Sequence, residues 1–565
     1  MDPIYSYSFG RSTSQVEYKT IGRRLEEMAC KYPDHVAVVS SHQDIVRTYK
    51  ELNDEVHRLG KGLHNVLGVR RGDVIGIWSA NVYEYIAMQF AILRVGGIAC
   101  AISPLCKAPE LSHILRKAKV KAIAFPGPQS LQNFAIDYAG ILSAADRPFL
   151  TDLIHMEGPD DEEGNGTMCG LKVHSMRGLV SDMDGRLDEE ILESVSPDDT
   201  ANIFFTSGTT GKPKGAATSH AIMLNSQQLI NRSKRRISEE SGRVICVPLP
   251  LFHAFAGMGV INTFLTIACT YVIPGYKFTG PETAQCMMDH KCTDLSAVPS
   301  MVIDLMNHCK EQGVTIKSLK SILLGAANAP EHVVDQLYKV FPNLETVIVA
   351  YGCTETSPVA TYPNHDLPQS EMNRTVGTII DFGSVKIVDQ GTGRMVKHGE
   401  TGEIHLKGML MHGYWDDEEK TSEVMKHGWY ATGDLGVMDK KGLLRITGRT
   451  KELIIRGGAN IYPKEVEDLI HQHDNVSTVA VCGVPDDRLG EEVCAWVKLR
   501  DPSLNTTVEE IRSFCKDRIS YYKVPKYVFL VDSFPMTASG KFQKFLMTEQ
   551  SVPMIDELMS VKNSS

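Results

Sequence analysis

With 565 residues, 42% of them hydrophobic and 23% charged, the chain is too long for one compact domain and apolar enough to build several cores. That excludes a wholly disordered or collagen-like polypeptide. The net charge of −10 at pH 7 excludes the broad basic field of a general nucleic-acid binder, while leaving room for a local anion site. The thirteen cysteines are scattered and form no CxxC pair, so reduced thiols are expected rather than a disulfide framework or a zinc site. Met1 to Gln15 holds one basic residue, Arg11, and no apolar run, and the last residues, VKNSS, are not of the peroxisomal type. The expected location is cytoplasmic and not secreted; a mitochondrial one would need a targeting signal that is not visible here.

In chain order, Leu52, Val56, Leu59, Leu63 and Leu67 recur at helical spacing and Gly68 follows as a stop. Val74 to Trp78 reads as a strand, Tyr83 to Val95 as a helix, Ile98 to Ile102 as a strand, Leu111 to Lys119 as a helix and Val120 to Phe125 as a strand. Glu157 to Gly170 is acidic and glycine-rich, a surface loop, and the basic cluster Arg232 to Arg236 reads as a solvated face. Ala254 to Tyr276 is free of charge, but Asn262 and Pro274 make it a buried helix followed by a strand, so no transmembrane segment is expected. Further strands fall at Val244 to Val247, Ile322 to Leu324 and Val347 to Ala350. The alternation predicts an α/β fold of parallel-type sheets covered by helices. Ser384 to Asp439 changes to short β-rich runs and turn pairs, an antiparallel or barrel-like piece. After Arg449 the alternation resumes for a domain's length, which places a boundary near Lys451: a large domain over 1–450 and a small α+β domain over 451–565.

The densest chemical signal is Phe205 to Gly215, with three glycines, four hydroxyls and two lysines directly after the apolar Ile203 to Phe205. Glycines let backbone N–H groups approach oxygens, hydroxyls donate, and lysine adds a point charge, which together cradle phosphate. The spacing is not that of a Walker A loop. Four more segments follow in a fixed order: Tyr351-Gly352-Cys353-Thr354-Glu355-Thr356, Tyr430-Ala431-Thr432-Gly433-Asp434, Gly448-Arg449-Thr450-Lys451-Glu452 running into Gly457-Gly458, and Pro535 to Lys541. No GxGxxG follows a strand, against a dinucleotide oxidoreductase.

On these motifs, over nearly its whole length, the chain resembles the adenylate-forming superfamily of acyl-CoA synthetases, coumarate–CoA ligases, luciferases and peptide-synthetase adenylation domains. Through Gly72 to Trp78 and through Phe204 to His220 it looks most like the medium-chain fatty acyl-CoA synthetases. The resemblance implies an enzyme that activates a fatty acid with ATP as the acyl-adenylate, releases pyrophosphate, and passes the acyl group to coenzyme A. Thr206, Ser207, Gly208, Thr209, Thr210, Gly211, Lys212, Pro213, Lys214 and Gly215 would then hold the β- and γ-phosphates. Glu355, with Thr206, would bind Mg²⁺, and Thr354 would face the α-phosphate. Gly325, Ala326 and Ala327, with Tyr351 and Gly352, would form the adenine slot. Asp434 would accept from the ribose hydroxyls and Arg449 would support that side. Lys541 would bridge the carboxylate and the α-phosphate. Lys451 is the implied hinge of a mobile C-terminal domain, and Gly457 and Gly458 the wall of a pantetheine tunnel. His253, Phe255, Ala256 and Gly257 would line the acyl pocket. No acidic residue occurs from Leu251 to Met258 to meet an α-ammonium, against a peptide-synthetase module.

An aryl-acid–CoA ligase and a luciferase-like oxygenase need the same adenylating residues and stay open as alternatives. A non-catalytic nucleotide- or acyl-binding relative should have lost Lys541, Glu355 or Asp434, and all three are present. The implied partners are small molecules: a carboxylic acid, ATP and coenzyme A. If the glycine pair walls the tunnel, Gly458→Leu spares adenylate formation and slows thioester formation by roughly tenfold or more. The two half-reactions assayed separately check this; equal losses refute it.

Overall fold

Apolar strands alternating with amphipathic helices build the larger part of the protein, and the computed structural model describes residues 4–12, 15–126, 137–157, 166–181, 183, 185–206, 213–231, 240–327, 329, 331–364, 366–457, 459–516, 518–536 and 541–563. Contacts divide the chain into two units. One comprises Ser8–Val385 and Leu406–Tyr430, the other Met1–Tyr7, Lys386–His405 and Ala431–Ser565. The division runs through the β-rich stretch.

In the first unit, a nine-stranded sheet has the order Gly413–Tyr414, Lys214–Ser219, Thr200–Thr206, Ile98–Ile102, Val74–Trp78, Ala122–Phe125, Asp152–His155, Leu171–Ser175, Gly166–Met168. Val74–Trp78, Ile98–Ile102 and Ala122–Phe125 are buried at every position, as strands covered on both faces must be. They pair in parallel, with Val74 opposite Ile98 and Ile75 opposite Ala122. The helix between the first two, Tyr83–Arg94, is apolar nearly all round and buried except at Glu84. Its one internal cation, Arg94, donates to the Asn53 side chain at 2.8 Å and the Gly22 carbonyl at 2.9 Å. Next to it lies the helix Tyr49–Asn65, started by a Thr48/Glu51 capping box, which buries Leu52, Val56, Leu59 and Leu63 completely.

The second sheet of this unit has seven strands, ordered Thr346–Val349, Ser321–Leu324, Asp294–Ala297, Glu240–Cys246, Ala268–Ile273, Val36–Ser40, Ile45–Thr48. All its pairs are parallel except the last. Loops that leave the C-terminal ends of such strands are where α/β proteins bind ligands. Thr206 is the C-terminal end of its strand, and the segments beginning at Gly325 and Tyr351 follow strands at the same end.

The charge-free stretch forms a π-helical turn, Phe255–Val260, a short helix, Thr263–Thr266, and the strand Ala268–Ile273, in line with a buried helix followed by a strand. No helix among the described residues is long and apolar enough to cross a membrane. The acidic segment differs from expectation at its end: Gly166–Met168 pairs antiparallel with Leu171–Ser175. Cys169 and Gly170 turn between them with φ of 54° and 77°, the left-handed pair that a tight hairpin requires. Residues 158–165 and the basic cluster Arg232 to Arg236 lie outside the described residues.

In the second unit, Val476–Asp486 and Gly490–Leu499 form a long antiparallel hairpin, flanked by Ile454–Arg456, Ala459–Ile461 and the parallel strand Tyr527–Leu530. The last helix, Lys544–Asn563, buries Met547 against Ala480, Cys482 and Trp496. At its start the Lys544 ammonium meets Glu467 at 2.7 Å and Glu452 at 3.1 Å. Burial opposes its charge, but the two carboxylates outweigh that and raise its pKa to about 12. With a folded value above the ordinary 10.5, the pair stabilises the fold fully below pH 10.5, and this is lost as pH rises through about 12. Lys544→Met leaves two part-buried carboxylates without their cation and should cost about 3 kcal/mol, read as a lower urea midpoint at pH 8.

Candidate functional site

In the first unit, the hairpin of Thr200–Thr206 and Lys214–Ser219 fixes the ends of the phosphate-loop candidate. Thr206 lies opposite Lys214, and its hydroxyl donates to the Lys214 carbonyl at 3.3 Å. Thr200–Thr206 runs parallel to Ile98–Ile102, so the loop issues at the C-terminal edge of the sheet. Ser207, Gly208, Thr209, Thr210, Gly211 and Lys212 lie outside the described residues. On the descending side, the Pro213 carbonyl is 2.9 Å from His113 Nε2. A Cβ on Gly215 would fall 2.7 Å from Ile203 Cγ2, so close strand packing demands glycine there.

Glu355 sits in the short 3₁₀ turn Thr354–Thr356 and is 7% exposed. Its Oε1 accepts from the Tyr414 hydroxyl at 2.8 Å, and its backbone carbonyl accepts from Met411 N–H at 2.8 Å. Tyr414 is held by pairing with Ala216, and the Lys214 ammonium lies 5.0 Å from the centre of its ring. Burial first, and then the Glu355 carboxylate, push the Tyr414 phenol well above its ordinary range, so it stays protonated and donates. Tyr430, whose hydroxyl is 3.9 Å from Cys353 Sγ, is raised by burial in the same way. Lys214, Glu355 and Tyr414 thus form one connected group of cation, carboxylate and neutral donor. Sequence reading named the first two and missed Tyr414, which no motif marks; only edge pairing brings it there.

Gly352 precedes that turn, and a Cβ on it would lie 2.1 Å from the Pro358 carbonyl oxygen, a position only glycine can fill. Tyr351 is tied to Thr361 through its backbone, with a half-buried side chain. Ala326 and Ser357 hold left-handed φ values of 63° and 60°, a cost of about 1 kcal/mol each that surrounding structure must impose. Gly325 is buried, while Ala326 and Ala327 are exposed beside it. A Cβ on Gly325 would stand 3.2 Å from the Phe255 ring, so the segment expected to hold adenine touches the segment expected to hold the acyl chain.

Of the four expected acyl-pocket residues, Phe255 lines a cavity. Ala256 is fully buried, and Gly257 faces the Leu251 carbonyl, 2.0 Å from where its Cβ would be. The absence of a side chain at Gly257 therefore serves packing. His253 is half-buried beside Phe252, with ring centres 4.9 Å apart.

The second unit holds the other candidates. Asp434, 5% exposed, lies opposite Arg449 across two antiparallel strands, and its Oδ1 is 2.9 Å from Arg449 Nε. Its own N–H donates to the Thr432 hydroxyl at 3.0 Å, and Gly433 N–H donates to Glu403 at 3.0 Å. Lys451 is exposed in a short turn, Thr450–Glu452, between the strand ending at Arg449 and the strand Ile454–Arg456. Gly457 has φ of 55° and donates to the Leu489 carbonyl at 2.8 Å; Gly458 lies outside the described residues. Lys541 is exposed just before the last helix, and Thr537 to Gly540 lie outside the described residues.

Among the described residues no group of three or more His, Cys, Asp or Glu side chains could hold a metal ion. Glu355 would share Mg²⁺ with nucleotide phosphates and water, the usual manner for that ion, and its buried carboxylate, held by Tyr414, fits that role. Tyr414→Phe should lower carboxylate-dependent AMP formation about tenfold by removing the donor to Glu355, with the urea midpoint measured alongside to exclude unfolding.

The AMP-binding enzyme family matches residues 25–415, and the AMP-binding enzyme C-terminal domain matches 465–541. The mitochondrial medium-chain acyl-CoA ligase ACSF2 of Rattus norvegicus is 34% identical, with 96% of this chain and 89% of that protein covered. The ATP-bound structure of MatB from Rhodopseudomonas palustris superimposes with a TM-score of 0.75 at 25% identity, covering 94% of this chain and 98% of the other. The anthranilate CoA ligase AuaEII in complex with anthranoyl-AMP gives 0.81 at 22% identity, covering 95% and 98%, and speaks to the fold alone.

Proposed function

Because this chain belongs to the AMP-binding enzyme family and is an AMP-forming acid–CoA ligase that uses ATP, we propose that its acid is a medium-chain fatty acid and that Mg²⁺ and coenzyme A complete the reaction. The observation that carries the reading is the connected group of half-buried Lys214 with buried Glu355 and Tyr414, where the strand pair Lys214–Ser219 and Gly413–Tyr414 meets the Glu355 turn. A carboxylate is a poor electrophile and must first attack the α-phosphate of ATP, which brings two anions together. That approach is steeply unfavourable in a low dielectric unless cations and donors stand ready.

Each residue has a part in this. Thr206 and Lys214, with the loop from Ser207 to Lys212, hold the β- and γ-phosphates. Glu355 supplies the hard oxygen for Mg²⁺, which when bound screens the phosphate charge, and Tyr414 orients that carboxylate. Thr354 faces the α-phosphate. Gly325, Ala326, Ala327, Tyr351 and Gly352 frame the adenine. Asp434 accepts from the ribose hydroxyls, and Arg449, 2.9 Å away, is its ion-pair partner. Lys541 bridges the attacking carboxylate and the α-phosphate, where charge builds in the transition state. Domain 451–565 turns about Lys451 for the thiol step, and Gly457 and Gly458 then pass the pantetheine arm. The apolar segment around Phe255 and the name of the rat relative support the medium-chain choice.

The test is AMP and pyrophosphate formation across acids from acetate through medium and long chains to aromatic acids, with and without coenzyme A. Turnover should peak at medium chains with an acyl-CoA product. In Lys541→Ala, AMP formation should fall about a hundredfold or more while thioester formation from supplied acyl-adenylate persists. A peak at aromatic acids overturns the substrate class, and equal loss of both steps overturns the role of Lys541.

A further inference from the structure

The helix His220–Leu229 and the residues after it carry several buried amides. Asn225 donates to the Glu17 carbonyl at 2.7 Å, Gln228 to the Glu17 carboxylate at 3.0 Å and Asn231 to the Thr266 hydroxyl at 2.6 Å. Gln227 is the exception. It is 7% exposed, and its Nε2 has no hydrogen-bond partner among the described residues. A buried amide donor left unmade is costly and rare in native proteins.

That side chain faces a cavity of about 20 Å³, room for one water-sized group, whose wall includes Phe255, Gly259, Val260, Leu323 and Tyr362. Gly259 keeps the approach open: a Cβ there would stand 3.6 Å from Gln227 Nε2 and 2.8 Å from Pro358 Cγ. Phe255 forms part of the same wall and touches the Gly325 position on the adenine side. Phe255 therefore borders both the Gly325 segment and the space that Gln227 faces. The wall also carries Asp294, whose oxygens accept from Arg243 at 2.6 Å and Thr293 at 2.7 Å. A second carboxylate would be repelled there, so the missing partner is uncharged.

Resting on the ligase reading above, we propose that Gln227 is a specificity-determining residue that donates to a hydroxyl or keto oxygen on the acyl chain, so that the preferred acids are oxygenated fatty acids. The terminal carboxylate still reacts at the α-phosphate; the second oxygen fills the water-sized space and satisfies the amide. An unsubstituted chain leaves the amide unpaired or displaces its water with nothing to replace that bond.

The experiment compares a medium-length straight-chain acid with its hydroxy and oxo derivatives, the oxygen moved one carbon at a time. kcat/KM for AMP formation is read in the wild-type protein and in Gln227→Met. The wild type should favour one oxygen position about tenfold over the unsubstituted acid, and Gln227→Met should abolish or reverse that preference, mainly through KM. Binding of the same acids to AMP-saturated protein, by calorimetry, gives the ratio without turnover. Selective binding with no AMP from any acid sinks the ligase reading and leaves the Gln227 contact standing. Equal handling of oxygenated and plain acids by the wild type means the amide holds a resident water only, and overturns the proposal even where Gln227→Met fails to fold.

Discussion

A buried carboxylate steadied by a neutral donor is the constraint on which this part of the first unit depends. Glu355 is nearly inaccessible, and an isolated charge in that position would be expelled or neutralised. It is kept by a donor whose own environment prevents it from ionising: Tyr414, locked by edge pairing to Ala216, with the Lys214 ammonium on its ring. The arrangement holds one negative charge ready for a cation while supplying positive charge nearby. In the proposed reaction, the approach of a carboxylate to a triphosphate requires both. The strained backbone at Ala326 and Ser357 belongs to the same economy, since segments leaving the ends of adjacent parallel strands must turn sharply to face one ligand.

Close backbone approach does as much as side-chain chemistry. Gly215, Gly257 and Gly352 each stand where a Cβ would strike a neighbour, and Gly325 stands where one would crowd Phe255. Two of these glycines, Gly215 and Gly352, border the phosphate-loop candidate and the Glu355 turn, so a methyl group there would displace these segments without removing any functional group. In the other unit the same logic is electrostatic. Asp434 is nearly buried, and Arg449, opposite it on the next strand, compensates its charge. Lys544 does the same between Glu452 and Glu467, tying the turn that contains Lys451 to the last helix.

Legibility in the sequence followed the range of the interaction. The strands Val74–Trp78 and Ile98–Ile102 were readable to the residue, because burial on both faces leaves continuous apolar runs bounded by Gly72 and Gly96. Helix ends shifted by one to three residues, as at Ala108–Lys117, where Pro109 and Glu110 make a start earlier than the apolar spacing suggested. The hairpin at Gly166–Met168 was missed because its strands are short and its turn depends on a left-handed cysteine, Cys169, that composition does not flag. At the candidate site, the order of the motifs carried the resemblance, and the resemblance in turn implied Thr206, Lys214, Glu355, Asp434, Arg449 and Lys541. Neither gave a sign of Tyr414 or Gln227, two ordinary residues made special by what surrounds them.

The sequence by itself therefore determined the fold class, through periodicity, and the family, through the resemblance of its ordered motifs; the roles of the motif residues are what that resemblance implies. Tertiary structure alone decided which donor steadies Glu355, that Asp434 and Arg449 face each other, that Gly257 packs against the Leu251 carbonyl and that Gln227 Nε2 has no hydrogen-bond partner among the described residues. Those are properties of contact and burial between segments far apart in the chain. Pairing register and side-chain desolvation come into being only when the sheets assemble.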